Sequence, residues 1–236
     1  MDYRQLHEWE VSPQEALRLQ QDLRAQVIAR DEDQAAFRTI AAMDVSYDKR
    51  SPWLFAAIVV MRLPGFQVVE TAGARARAGF AYIPGLLSFR ESPAGLEVWH
   101  KLRTRPDCLI CDGHGYAHPR RFGFACHFGL LVDLPTIGFA KRVLIGCFDP
   151  PGVARGSRSD LVDADEVIGA AVRTREGAVP VFVSVGHRIS LTRAVATILA
   201  CTSAYRIPEP ARRAHVLGNR LREAGAEPAN AGSLFG

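Results

Sequence analysis

No stretch of this chain approaches the roughly 20 consecutive apolar residues that a membrane-spanning helix needs. The opening Met1-Asp-Tyr-Arg-Gln-Leu-His-Glu-Trp-Glu10 is polar where a secretory leader would carry an apolar core. A cytoplasmic protein with no membrane association is expected. Low-complexity tracts, internal repeats and inter-domain linkers are also missing, so nothing argues for a disordered or repetitive architecture. Cysteine is scarce: five residues are an odd number for a disulfide framework, and Cys108, Cys111, Cys126 and Cys201 sit in apolar surroundings, so reduced thiols are expected. Cys108-Leu-Ile-Cys111 has the spacing of a zinc or redox pair, but no second pair follows and the segment reads as a strand, where residues three apart face opposite sides. Charge of one sign is barely in excess. With 29 Lys and Arg against 25 Asp and Glu, the net charge is +4, enough to approach a polyanion and far from a DNA-packaging protein.

What remains is an ordinary globular composition, 48% hydrophobic over 236 residues, suited to one continuous α/β core. One domain over residues 1–225 is expected, followed by a frayed tail at 226–236. Ser12, Pro13 and Glu15 form a helix start with a capping box, and Leu19, Leu23 and Val27 make an apolar stripe. That helix is expected to pack on the sheet and carry no chemistry. Segments 39–45, 54–63 and 67–78 read as three strands of an antiparallel meander, separated by Ser51-Pro52 and Pro64-Gly65. Ser92-Pro93 reads as the start of a crossover helix through Leu96, Trp99 and Leu102, leading to a buried strand at 107–112. A helix at 124–132, a strand at 136–140, a hairpin of 167–173 with 179–185, and helices from about Leu191 and Glu209 complete the chain. The best candidate for a mobile loop is 146–160. This order, three antiparallel strands and then parallel strands with helices on both faces, is that of an α/β ribonuclease H-like mixed sheet.

Two carboxylates interrupt apolar strands: Asp44 in Ala41-Ala-Met-Asp-Val45, and Asp112 after Leu109-Ile-Cys111. A buried Asp is costly unless paired or bound to a cation. If the first and fourth strands are neighbours, the two acids face each other, and Glu91 adds a third from just before the crossover helix. Crowded hard oxygen ligands favour Mg²⁺, with Mn²⁺ as a substitute. His215 falls on the helix face of Ala211, Ala214 and Gly218 and can approach that cluster. His118 can orient a phosphate or water, Arg120 and Arg121 can pair with phosphates, and Lys141 ends a strand where a point charge would help. Tyr82-Ile83-Pro84-Gly85 can form an exposed aromatic wedge that fills the gap left by an unstacked base. The blander alternatives are strand-end or capping acids, a core histidine, a solvated basic loop and a packed turn.

Taken together, Asp44, Tyr82-Ile-Pro-Gly-Leu-Leu-Ser-Phe-Arg-Glu91, Asp112-Gly-His-Gly-Tyr-Ala-His-Pro-Arg-Arg-Phe-Gly123, Pro135-Thr-Ile-Gly-Phe-Ala-Lys141, Val183-Ser-Val-Gly-His187 and Arg206-Ile-Pro-Glu-Pro-Ala-Arg-Arg-Ala-His215 resemble the endonuclease V family, from near residue 1 to about 222. The resemblance implies a DNA repair endonuclease that cuts the second phosphodiester 3′ to a deaminated base, deoxyinosine foremost, leaving a 3′-hydroxyl and a 5′-phosphate. It implies Mg²⁺ or Mn²⁺ held by Asp44, Glu91 and Asp112, with His215 beside them and His118 and Lys141 near the scissile phosphate. Tyr82 would be the wedge, and Gly113 and Gly115 would line the base pocket. DNA carrying deaminated bases is the implied partner, inosine RNA an alternative, and a monomer suffices. Two positions depart from the family pattern: Ala81 where the wedge motif commonly begins with Pro, and His114 where Asn or Gln is frequent. Two other readings share some of these features. A general ribonuclease H-like nuclease would need no wedge, and a binding module for deaminated bases would need no acidic cluster.

Overall fold

The computed structural model describes residues 1–32, 35–47 and 51–225; the expected frayed tail lies outside them. The meander is present as β1 (Thr39–Tyr47), β2 (Trp53–Arg62) and β3 (Gln67–Arg77), paired antiparallel. β4 (Cys108–Asp112) pairs parallel to β1, and β5 (Thr136–Ala140) parallel to β4. The sheet continues antiparallel through β8 (Val181–His187), β7 (Glu166–Val172) and β6 (Arg158–Asp163). Eight strands stand in the order β3-β2-β1-β4-β5-β8-β7-β6, and the fold is the ribonuclease H-like mixed sheet expected.

Helices cover both faces because the central strands bury both. On one side Ile40, Ala42, Cys108 and Ile110 pack with Ala214, Leu217 and Leu221 of α5 (Glu209–Ala224) and with Ala194, Val195 and Ile198 of α4 (Leu191–Ala200). On the other, Ala41, Met43, Leu109 and Cys111 pack with Val98 and Trp99 of α2 (Leu87–Lys101) and Phe124 and Phe128 of α3 (Phe124–Val132). The strand period of two thus sends Cys108 and Cys111 into different cores, where burial raises both thiols, so they are packing residues. Among the described residues all five cysteines are free, and no helix is long and apolar enough to cross a membrane.

Three expectations need correction. The crossover helix starts at Leu87, not at Ser92: Ser92 is fully buried, its hydroxyl without a partner among the described residues, and Pro93 lies inside the helix. Packing of Phe89, Ala94, Val98 and Trp99 holds this stretch helical despite the proline, so Glu91 stands on the helix rather than before it. The first helix, α1 (Pro13–Arg24), has its capping box, but it contacts α3 and buries Ala16, Gln20 and Leu23, while Leu19 is only half-buried. Finally, part of the supposed mobile loop is β6. Its single buried side chain, Leu161, leaves no apolar alternation to detect, and the preceding loop is tied down by Arg173, which donates to the carbonyls of Pro151 and Gly152.

Leu217 lies wholly buried where α5 crosses the sheet, so Leu217→Ala should cost about 2–5 kcal/mol. Urea denaturation measures it, and a loss below about 1 kcal/mol would mean that α5 packing does not anchor this face.

Candidate active site

Parallel pairing places Ala42 beside Ile110 and Met43 beside Cys111, so Asp44, inside β1, stands abreast of Asp112, the last residue of β4. Both follow the even-numbered side of their strands, toward α5. From α5, His215 Nδ1 donates to Asp44 Oδ2 at 3.0 Å. Asn219 Nδ2 stands 3.0 Å from His215 Nε2, and its Oδ1 accepts from Ser46 Oγ at 2.7 Å. That order fixes the imidazole with its proton on Nδ1, aimed at the carboxylate. From the end of β5, Lys141 Nζ donates to Asp112 Oδ2 at 2.6 Å. Glu91 reaches the same region from the opposite face and is almost completely buried.

These positions drive the acids apart in proton affinity. Burial and then the charges of Asp44 and Asp112 push Glu91 well above the ordinary carboxylate range. Burial and the neighbouring Asp44 raise Asp112 to about 6, against the pull of Lys141. Burial also acts on Asp44, but hydrogen bonds from His215 and Asp112 outweigh it and leave this carboxyl low. His215 is raised in turn, by its hydrogen bond to Asp44. Among the described residues no three His, Cys, Asp or Glu side chains form a ready-made metal cage. The donor chemistry nevertheless fits a hard divalent cation: carboxylate oxygens, mutually repelling and partly withdrawn from water.

Gly113, the residue after Asp112, lines a cavity of about 150 Å³, room for one planar heterocycle. Tyr82, Ile83, Pro84, Gly85, Gly113 and His118 line it, and Tyr82 is 61% exposed at its edge. Gly115 and Arg120 stand behind that wall. A Cβ at Gly115 would lie 2.0 Å from the Val185 carbonyl oxygen, so only glycine fits. Gly85, at φ +80°, turns its carbonyl inward to accept from His118 Nε2 at 3.0 Å, Arg120 at 2.9 Å and Gln20 Nε2 at 3.0 Å. His118 Nδ1 accepts from the Arg120 amide, so both ring nitrogens are engaged in the wall, and burial and Arg120 lower the ring to about 4. Arg121 pairs with Glu166 at 2.6 Å and Asp163 at 2.9 Å, tying the turn after β4 to the β6–β7 hairpin. Sequence reasoning missed Gln20, Ser88 and Leu144 in this wall, while His114, singled out there as a departure from the family pattern, belongs to it. Gln20 belongs to a helix expected to carry no chemistry. Its local window carries no signal, because the full burial of its amide is a property of the folded chain. His114 donates from Nε2 to the Arg142 carbonyl, which leaves its Nδ1 a buried acceptor with no partner among the described residues.

The sequence pattern of the family described as Endonuclease V matches residues 21–216. The chain belongs to the endonuclease V family. It is 49% identical to an endonuclease V of Roseiflexus castenholzii, over 92% of this chain and 96% of that one, and 45% identical to one of Gloeobacter violaceus, over 98% and 94%. Among solved structures, the endonuclease V of Streptomyces avermitilis superposes with a TM-score of 0.87 at 44% identity, covering 92% of this chain and 96% of that one. The Ciona intestinalis endonuclease V, crystallised with a 24mer DNA containing an inosine followed by a ribo-adenosine, gives 0.81 at 27% identity over 90% and 98%. Family membership makes this chain a nuclease, and the acids and pocket lie on the shared fold.

The raised Asp112 has a measurable consequence. A carboxyl shifted from 3.8 to about 6 binds more protons folded than unfolded, so its contribution to stability is lost as pH rises across that window. In chelator the parent should therefore lose up to about 1.4 kcal/mol per pH unit relative to Asp112→Asn between pH of about 4 and 6. Comparing the two proteins cancels the opposite trend from the lowered His118. Parallel denaturation curves across the window would show that Asp112 titrates normally.

Proposed function

We propose that this protein is a DNA repair endonuclease that takes a deaminated base, deoxyinosine foremost, into the small pocket and hydrolyses the second phosphodiester 3′ to it. The observation that carries this reading is the adjacency of a one-base pocket, an exposed tyrosine and paired buried carboxylates. The Ciona relative bound to inosine-containing DNA supports it. In the reaction the oxygen of a water forms a bond to phosphorus, the bond from phosphorus to O3′ breaks, and O3′ takes a proton, leaving a 3′-hydroxyl and a 5′-phosphate.

Asp44, Asp112 and Glu91 would hold Mg²⁺, or Mn²⁺ in its place, and such an ion supplies charge neutralisation and polarisation of the phosphate. The chain's own residues set the geometry. His215 fixes the Asp44 carboxylate through Nδ1, and Lys141 anchors Asp112 while placing its charge beside the strand end where charge develops on the phosphate. His118, through the Gly85 carbonyl, shapes the wall that accepts the base. Tyr82 fills the gap that the extruded base leaves. One chain holds every one of these groups, so the reading needs only a monomer, working in the cytoplasm. The ribo-adenosine after inosine in the Ciona complex favours including inosine RNA as an alternative substrate.

A labelled duplex carrying one deoxyinosine should be nicked one nucleotide beyond the lesion with Mg²⁺ and left intact with chelator. Asp44→Ala should abolish the nick. Retention without any nick would make the protein a binding module, and equal cutting of an unmodified duplex would make it a general nuclease. Tyr82→Ala should weaken retention of the inosine duplex about 5- to 100-fold, the worth of one stacking contact. Unchanged retention in a gel-shift titration would remove the wedge role.

A further inference from the structure

Ser88, on the first turn of α2, belongs to the pocket wall and is 1% exposed. Its hydroxyl is the end of a hydrogen-bonded chain whose proton positions are set from outside the pocket. His7 Nδ1 lies 2.6 Å from the Glu8 carbonyl oxygen, an acceptor only, so His7 carries its proton on Nδ1. A neutral His7 then offers a lone pair at Nε2, and His127 Nε2, 2.8 Å away, must donate to it. That leaves His127 Nδ1 as an acceptor, 3.0 Å from Ser88 Oγ. Burial keeps both rings neutral: His127 is wholly enclosed by Trp9, Phe89 and Phe122 and held well below its ordinary value, and His7 is lowered for the same reason. One tautomer assignment satisfies all the contacts.

We infer that the His7–His127 relay takes up the Ser88 hydroxyl proton, so that Ser88 meets a base in the pocket only as a hydrogen-bond acceptor and selects bases carrying a ring N–H. The inference rests on the deaminated-base reading above and adds a specificity determinant to it. Deamination of an adenine-type base replaces an amino group by a carbonyl and converts the adjacent ring nitrogen from an acceptor to an N–H donor. A serine free to rotate would satisfy either form, since a hydroxyl both donates and accepts. With its proton committed to His127, Ser88 welcomes the lactam N–H and sets lone pair against lone pair for an unprotonated ring nitrogen. Such mismatch leaves a buried polar group unpaired, which is where discrimination by a pocket is strongest. Ser88 is thus a specificity-determining residue, and His127 and His7 are positioning residues that act through it.

The test measures kcat/KM on duplexes that differ only in carrying hypoxanthine, unsubstituted purine, which lacks the ring N–H, or adenine. Ser88→Ala should reduce the preference for hypoxanthine over purine about tenfold, the worth of one buried hydrogen bond of about 1.4 kcal/mol. Ser88→Thr, which keeps the hydroxyl, should retain the preference, and His127→Phe, a ring suited to its aromatic surroundings, should fall between. An effect on folding alone would lower all three substrates together and leave the ratio unmoved. Imidazole nitrogen NMR on the parent reads the relay directly and should find the proton on Nδ1 of His7 and on Nε2 of His127. A Ser88→Ala preference within twofold of the parent's, or a proton on His127 Nδ1, would overturn the inference while leaving the lesion reading intact. A parent that does not prefer deoxyinosine to deoxyadenosine would overturn both.

Discussion

Everything in this site follows from forcing two carboxylates side by side on adjacent parallel strands. In β1 and β4 the register that aligns Met43 with Cys111 leaves Asp44 and Asp112 abreast. The strands cannot slip to relieve the crowding, because a one-residue slip would exchange the two cores on either face of the sheet. The apolar packing of Ile40, Ala42, Cys108 and Ile110 on one side and Ala41, Met43, Leu109 and Cys111 on the other therefore fixes an electrostatic conflict that no isolated strand would tolerate. His215 and Lys141 relieve it unequally, one on each acid, and Glu91 adds a third carboxyl from the far face. Three carboxyl groups this close compete for protons, and the competition spreads their proton affinities apart.

The pocket obeys a different constraint, centred on a single carbonyl. Gly85 adopts a left-handed turn, and a Cβ there would lie 2.8 Å from the Arg120 guanidinium. Its carbonyl oxygen gathers three donors, Gln20 of α1 and His118 and Arg120 of the turn after β4, from two parts of the chain that are remote in sequence. Gln20 accepts from Arg120 Nε and donates to both the Gly85 and Phe122 carbonyls, so its amide is saturated and its burial is favourable. Donors that a reading of the sequence assigns to phosphates are committed to holding this wall. That is a more demanding use of them, since an exposed arginine on a phosphate tolerates movement, and a three-way junction on one carbonyl does not.

How much of this was legible follows from the type of signal each part leaves. Strands β1, β2, β4 and β5 and helix α3 were legible because apolar runs bounded by turn residues encode burial directly, and α4 and α5 because small and apolar residues recur at helical spacing. Asp44 and Asp112 stood out because a charge inside an apolar run requires a reason, and His215 because its helix face is otherwise small and apolar. β6 was invisible because an edge strand with one buried side chain has no alternation, and α2 was misplaced because Ser92-Pro93 imitates a helix start that tertiary packing overrides. Gln20, Ser88, His7 and His127 escaped for another reason: each is ordinary in its local window, and its meaning lies in a partner 39 to 120 residues away. Spacing reports faces; it does not report which distant carbonyl a side chain will meet.

The arrangement of α2 joins these two constraints. Ser88 and Glu91 are three residues apart and so share a helix face, separated along the axis by about 4.5 Å. One residue lines the base pocket and the other belongs with the carboxylates. Gly113, immediately after Asp112, makes the same connection from the strand side. The distance between the pocket and the carboxylates is therefore set by a helical turn and a strand end, both packed in the core. Under the proposed reading, changing the offset between base and cut would require repacking α2 against the sheet.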